Sequence, residues 1–332
     1  MEIMGYKKTI VITSIFEPTL AIKKFAEIKG SKLIVIGDIK TPSDWNYKNV
    51  DYVSVNDQNN MNYTIIPLLP YNHYCRKMIG YLKAIENGAK FIVDTDDDNI
   101  PKDGWAFPNF EEENDTITGI SGYINIYQLF TEQKIWPRGL PLKMISKNFD
   151  LSSFITKKKL TVGIWQGLAD EDPDVDAIYR LTNDEACYFF DREPVVLTAG
   201  VISPFNTQNT MIRKELFCLL YLPTYVTFRF TDILRGLVAQ PIMWLHGYHL
   251  GFTQATVLQK RNPHDYMKDF LSEIPMYEHG ESVIEIVSNS ISSSDTIESN
   301  LLKAYNALFK NNIVCEKELI TLEAWIYDLN KN

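Results

Sequence analysis

Short β-branched runs alternate with longer stretches of helical period along the first hundred residues. KKTIVITSIF, from Lys7 to Phe16, reads as a buried strand. Pro18 follows where the first turn of a helix tolerates proline, and Gly30 ends that helix. Lys32 to Ile36 form a second apolar run that leads into Gly37 and Asp38, and Val50 to Val55 alternates like a third strand. From Tyr71 the period becomes helical, with Met78, Leu82 and Ile85 on one face and Gly88 as a stop, before the apolar Phe91 to Val93. This alternation predicts an α/β fold with a mainly parallel central sheet flanked by helices. Ligands on such sheets bind beyond the carboxyl ends of the strands. Those ends are Ser14 to Glu17, Asp38 to Lys40 and Asp94 to Asp98.

The middle of the chain, residues 105 to 210, is richer in Pro, Gly and aromatic residues, and reads as loops, short strands and a hairpin-containing acceptor region. TYVTFRF then looks like a strand, and Asp232 after it like a helix N-cap. Beyond Asp265 the pattern is helical, broken by a polar joint at Ser288 to Asp295.

A chain of 332 residues, 45% of them hydrophobic, can bury a sizeable core. With 23% charged residues it lies outside the disordered class. The net charge of -9 argues against nucleic acid as a partner, since that affinity comes mainly from Lys and Arg. An anionic substrate must therefore meet local positive charge or a bound cation. Cys75, Cys187, Cys218 and Cys315 are too far apart for a close-paired zinc or redox motif, and read as free thiols in a reducing compartment. No apolar run reaches the roughly 18 residues that span a bilayer, and the N-terminus lacks a secretory pattern. The expectation is a cytoplasmic protein, compatible with peripheral membrane contact.

FIVDTDDDNIPKDGW crowds Asp94, Asp96, Asp97, Asp98 and Asn99 directly after a buried strand. Carboxylates this close repel unless a cation or hydrogen-bond donors compensate. Mn²⁺ or Mg²⁺ suits the pattern, because a hard ion takes one or two carboxylates and completes its shell with substrate phosphates. A solvated acidic turn is the bland alternative. An EF-hand starting at Asp94 would need Gly sixth and Glu twelfth, where this chain has Asn99 and Trp105. An aspartyl phosphatase would carry its motif on the first strand, whereas three strands precede this one.

The stretch YCRKMIGYLKAIENGAKFIVDTDDDN, with the earlier VIGDIKTP, resembles the STELLO-type family of GT-A glycosyltransferases. IWPRGLPL has a weaker resemblance to the reversibly glycosylated polypeptides, which include UDP-arabinopyranose mutases. The resemblance covers about residues 8 to 250. It implies a GT-A catalytic domain over residues 1–264, with a nucleotide-binding half (1–104) and a donor-sugar and acceptor half (105–264), and a C-terminal helical extension over 265–332. It further implies Ser14, Ile15, Glu17, Asp38 and Lys40 around the nucleotide, and Arg76 and Lys77 within reach of base or phosphate. Asp96 and Asp98 would hold the metal, with Asp94 and Asp97 supporting the donor. The donor would be a nucleoside diphosphate sugar, with uracil the favoured base, and the acceptor a glycan, a lipid-linked glycan or a protein. A nucleotide-sugar mutase or self-glycosylating protein would use the same site, and a catalytically silent scaffold would keep only the fold.

Five downstream features extend the site. His246 and His249 in WLHGYHLGF are three apart, so on a helical turn they share a side, and the resemblance to metal-dependent GT-A enzymes, in several of which a C-terminal histidine completes the metal site, implies either as a candidate metal ligand, with core packing as the alternative. Asp232 is the candidate catalytic base that deprotonates the acceptor. Asp170 leads an acidic loop with Glu171, Asp172, Asp174 and Asp176, suited to accept hydrogen bonds from sugar hydroxyls or simply to be solvated. Arg138 can bind a diphosphate bidentately, and Trp136 and Trp165 can offer faces to sugar rings or pack in the core.

Overall fold

The computed structural model of the protein describes residues 7–147, 150–183, 185–260 and 265–331. Its strands are β1 (Lys8–Thr13), β2 (Ser31–Ile36), β3 (Val50–Val53), β4 (Phe91–Thr95), β5 (Asn99–Pro101), β6 (Glu113–Ile117), β7 (Gly122–Tyr123), β8 (Ile155–Lys159), β9 (Val162–Glu171), β10 (Val195–Leu197), β11 (Val201–Ile202), β12 (Asn209–Arg213) and β13 (His249–Gln259). Its helices are α1 (Leu20–Phe25), α2 (Val55–Asn59), α3 (Lys77–Glu86), α4 (Leu142–Ile145), α5 (Ala177–Thr182), α6 (Thr231–Leu245), α7 (Tyr266–Ser290), α8 (Ile297–Lys310) and α9 (Glu316–Lys331).

The main sheet runs β3-β2-β1-β4-β12-β9-β13-β10-β6-β8, with β5 paired to β13, while β7 and β11 form a small separate sheet. The first four strands are mutually parallel, as the periodicity predicts. Beyond β4 the expectation of a mainly parallel sheet fails. β12 runs antiparallel to both β4 and β9, and β10 antiparallel to β13, so the whole sheet is mixed. Without a second run of βαβ units there is no crossover helix to enforce parallel pairing. The strand order reverses between β1 and β4, which opens a crevice at their carboxyl ends.

Alternation along the strands covers both faces. Ile10 and Ile12 pack with Phe25, Val93 and Trp165 on one side. Val11 joins Ile34, Met78 and Leu237 on the other, in a cluster that continues through Val283, Leu301 and Trp325. At Gly80 the helix α3 lies so close to the sheet that a Cβ would fall 2.5 Å from Val11 Cγ1. That approach aims Lys77, one turn earlier, at the end of β4.

The C-terminal helices share this core, α7 packing on α6, α8 on α7 and α9 on α8. They also lay buried carboxylates into the rest of the chain. Asp328 accepts the N–H groups of Thr64 and Ile65, at 2.8 and 2.9 Å. Glu318 accepts those of Thr224 and Tyr225, and Glu273 that of Ala177. The expected boundary at residue 264 falls in 261–264, outside the described residues, and the polar joint lies where α7 ends at Ser290. No described helix is long and apolar enough to cross a membrane. All four cysteines are free, and only Cys315 is exposed.

Candidate active site

The acidic run turns out of β4 at the strand-order reversal, where a cleft of ≈ 380 Å³ opens. Asp96, Asp97 and Asp98 line it with Thr13, Arg138, Asp174, Thr207, Arg229, Asp232 and Gln259. A second chamber of ≈ 210 Å³ adjoins, lined by Ser14, Gly37, Asp38, Lys40, Asn72 and His73. Thr13, Ile15, Phe16, Tyr74, Asp97 and Phe228 line both chambers.

Each acid in the run has its own support. Asp94 is buried and held from both sides, by Lys77 Nζ at 2.9 Å and Arg235 Nη1 at 2.8 Å. Lys77 Nζ also donates to Asp96 at 2.6 Å. Burial pushes the Lys77 ammonium down, but Asp94 and Asp96 more than offset this and hold it above the usual lysine range. Asp97 accepts the Ser14 hydroxyl, and its carbonyl accepts that of Thr19. Asp98 receives Gln259 Nε2 at 3.2 Å, and its carbonyl the N–H of Lys260. Burial raises Asp96 to about 6, with Lys77 lowering it and Asp98 opposing, and burial likewise raises Asp97 to about 6 against the Ser14 bond. Carboxylates held up in this way gain from added positive charge.

No group of three or more His, Cys, Asp or Glu side chains converges as a metal cage among the described residues. The donor set instead fits an Mg²⁺-like ion that takes one or two carboxylates and draws its other ligands from phosphates and water.

Several expected residues stand elsewhere. His246 caps the C-terminus of α6 and meets Asn300, and Gly247, at φ 74, reverses the chain before His249 opens β13. The two histidines therefore share no helical turn. His249 begins the eleven-residue strand that ends at Gln259 beside Asp98, about 30 Å away at strand rise. The structure does not bring either histidine to the acidic run. Arg76 lines neither chamber. Its Nε donates to Gln58 Oε1 at 2.9 Å, its Nη1 to Leu69, and Gln58 in turn holds the Gly37 carbonyl. Lys77 acts from beneath the acids. Glu17 is exposed and outside both linings, whereas Ser14, Ile15, Asp38 and Lys40 line the second chamber.

Asp170 lies within the buried strand β9, one residue before its end, in place of the expected loop, tied to Lys102 and to the Phe189 N–H. Trp165 is core, and Trp136 donates to Asp176. TYVTFRF forms bends and a turn where a strand was expected, and Asp232 lies in the first turn of α6, not at its cap.

Asp232 and Arg138 meet at that first turn. Arg138 Nη2 lies 2.8 Å from Asp232 Oδ2 and 3.0 Å from Oδ1, and with Nε it grips Asp174 at 2.8 Å. Gly139 makes this possible, since its φ of 91 suits glycine and a Cβ would sit 2.6 Å from Ile233 Cγ2. Asp232 also accepts the Tyr74 hydroxyl at 3.3 Å and the Thr207 N–H at 3.3 Å. Arg229, in the cleft lining, is held by Glu273 from α7 at 2.9 Å.

Arg235, Thr207, Arg229, Glu273 and His73 were not legible as site residues. One signal existed for Arg235: a charged residue three positions after Asp232, in a helix otherwise apolar through Ile233, Leu234, Leu237 and Val238.

A family model described as STELLO glycosyltransferases matches residues 229–332. That stretch holds Asp232 and all three C-terminal helices, and lies mostly beyond the motifs of the N-terminal half. Among curated proteins of Arabidopsis thaliana, probable glycosyltransferase STELLO2 is 32% identical over 278 residues, covering 76% of this chain and 35% of that protein. Probable glycosyltransferase STELLO1 is 28% identical over 350 residues, covering 97% of this chain and 44% of that protein. Each match spans less than half of the relative's own length.

Proposed function

Since this chain belongs to the STELLO-type glycosyltransferase family, we propose that it is a metal-dependent GT-A enzyme. It moves a sugar from a nucleoside diphosphate sugar, with uracil the favoured base, to a glycan, lipid-linked or protein acceptor. One observation carries this reading: Asp96, Asp97 and Asp98 line a cleft at the reversal of strand order, joined to a second chamber large enough for a base.

Asp96 and Asp98 would hold Mn²⁺ or Mg²⁺, which supplies positive charge to a departing diphosphate. Lys77 fixes the position of Asp96, and Asp94, locked by Lys77 and Arg235, fixes the strand end that carries the run. Arg229 adds a cation to the cleft wall. Asp232 takes the proton of the acceptor hydroxyl as its oxygen attacks the anomeric carbon and the bond to the diphosphate breaks. Its lone pairs already serve Arg138, Tyr74 and Thr207, so one of those bonds must yield to the acceptor. Phe16 and Phe228, about half exposed at the junction of the chambers, offer apolar faces to base or sugar.

Thermal denaturation with UDP, in the presence and absence of Mn²⁺, tests the proposal. A ligand that binds the folded state raises the melting temperature. The expected result is a shift with UDP and Mn²⁺ that exceeds the shift with either alone. Equal shifts with and without the ion would refute the metal-dependent reading.

A further inference from the structure

Among the described residues, the cations of the larger cleft's lining are Arg138 and Arg229, and both are held by carboxylates. Arg138 grips Asp174 through Nε and Nη2, each at 2.8 Å, while Nη2 also meets Asp232 and Nη1 donates to the Arg229 carbonyl. Arg229 is held by Glu273 at 2.9 Å and stands 3.8 Å from Asp174. Glu273 is buried, and its Oε2 also accepts the Ala177 N–H and the Tyr277 hydroxyl, both at 2.7 Å. The pattern continues along the acidic stretch, where Lys102 pairs with Asp170 and Arg180 with Asp172.

Three carboxylates, Asp174, Asp232 and Glu273, thus share two guanidiniums, and this wall keeps an excess of negative charge. The rest of the wall is neutral, with Asn206, Thr207, Gln208 and Gln259 offering amides and a hydroxyl. The sugar of the donor belongs here. In the proposed reaction Asp232 takes the proton from the oxygen that attacks the anomeric carbon, so the ring stands beside Asp232 and the groups that hold it. The charge of the bound ion is matched by the diphosphate and by the acids of the run, and does not relieve the wall.

We infer that this wall selects a donor with an uncharged sugar and rejects a uronic acid, and that Glu273 sets the preference by neutralising Arg229. A guanidinium with a free fork is the group that binds a carboxylate best. Here protein carboxylates occupy both guanidiniums, so a sugar carboxylate would meet Asp174 and Asp232 as a like charge. Sugar hydroxyls meet the same wall without repulsion, because they donate to carboxylate oxygens and accept from amides. Glu273 is a positioning residue, acting through Arg229. The inference rests on the nucleoside diphosphate sugar reading of the cleft and adds the charge class of the sugar.

Calorimetric titration of the full chain with UDP-glucose and UDP-glucuronic acid, both with Mn²⁺, tests it, because the two differ only by a hydroxymethyl group against a carboxylate. UDP-glucose is expected to bind at least about tenfold more tightly, a modest penalty for setting like charges together. Glu273→Gln keeps the shape of the side chain and removes the charge that neutralises Arg229. It should bring the ratio to within about threefold, chiefly by strengthening UDP-glucuronic acid. A role in folding alone would weaken both ligands alike and leave the ratio intact. Glu273→Gln combined with Arg229→Gln removes the released cation and should restore the wild-type ratio. A wild-type chain that binds UDP-glucuronic acid as tightly as UDP-glucose overturns the inference, as does a folded Glu273→Gln variant that keeps the full preference. UDP that binds with Mn²⁺ while neither nucleotide sugar does would remove the sugar from this wall and leave the nucleotide reading standing. Failure of UDP itself to bind would remove the proposed donor class, and the sugar preference with it.

Discussion

The acidic run after β4 and the arginine cluster at the start of α6 line one cleft, yet they are assembled in opposite ways. The four acids of the first lie within five consecutive positions, Asp94 to Asp98, and its cations arrive from α3 and α6 as Lys77 and Arg235. The second draws Arg138, Asp174, Arg229, Asp232 and Glu273 from well-separated parts of the chain, and each arginine there holds a carboxylate. Burial leaves Asp96 and Asp97 titrating near 6 in the first region. Two neighbouring regions of similar composition can thus differ in purpose. The first gains from an added cation, whereas the second pairs its charges internally, which shapes the cleft wall and holds Asp232 in place for its proposed part in the reaction.

Asp94→Ala should have the largest effect on stability. It would leave Lys77 and Arg235 buried without their shared partner, at a cost of about 3–5 kcal/mol, read from urea denaturation. A loss below about 1 kcal/mol would show that the inner acid is not a structural anchor. Asp96→Ala combined with Asp98→Ala should behave differently. It removes acids from the cleft lining, so the unliganded protein should keep most of its stability while losing the Mn²⁺-dependent shift with UDP. That shift corresponds to about 2.7 kcal/mol at a ligand concentration of 100 times Kd. A double mutant that keeps the full shift would break the contrast between the regions.

In the second region Glu273→Gln should cost about 1–3 kcal/mol by releasing Arg229 and weakening the bond to the Ala177 N–H. Nucleotide binding should weaken far less than in the double mutant of the acidic run, and an equal or larger loss would mean that the two regions act as one.

The smallest effect concerns pH. Asp176 caps α5, and burial raises it to about 6, against its bonds from Trp136 and the Tyr179 N–H. The folded state then binds more protons than the unfolded state between the ordinary aspartate value of 3.8 and about 6. The contribution of this group is therefore full below that window and is lost as pH rises through about 6. Asp176→Asn, which can still cap the helix, should flatten that part of the stability profile. An unchanged profile would show that Asp176 does not titrate in this range.

The same contrast explains what was legible in the sequence. The parallel strands β1 to β4 and the acidic run could be read because their signals are local: an apolar run, a turn, a cluster of like charges. The mixed half of the sheet was less legible. Residues 105 to 210 read as loops and short strands, and the acidic loop was expected to begin at GLAD, but GIWQGLAD lies in the ten-residue buried strand β9, flanked by β12 and β13. Buried on both faces, it has no alternation to reveal it. The histidine pair misled because the spacing of His246 and His249 fits a helix, while Gly247 between them reverses the chain. Nothing local singles out Glu273, Glu318 and Asp328 in the helical C-terminal sequence, and only the fold shows that they accept N–H groups from segments far away in sequence.

The central claim is that the acids at the end of β4 hold a divalent ion together with a nucleoside diphosphate. A crystal soaked with MnCl₂ and UDP, measured for the anomalous signal of manganese, tests it most directly. The account predicts one strong peak bonded to a carboxylate of Asp96 or Asp98 and to the diphosphate, with the base in the chamber of Asp38 and His73. UDP bound elsewhere, or bound in this cleft with no manganese at Asp96 or Asp98, would contradict it.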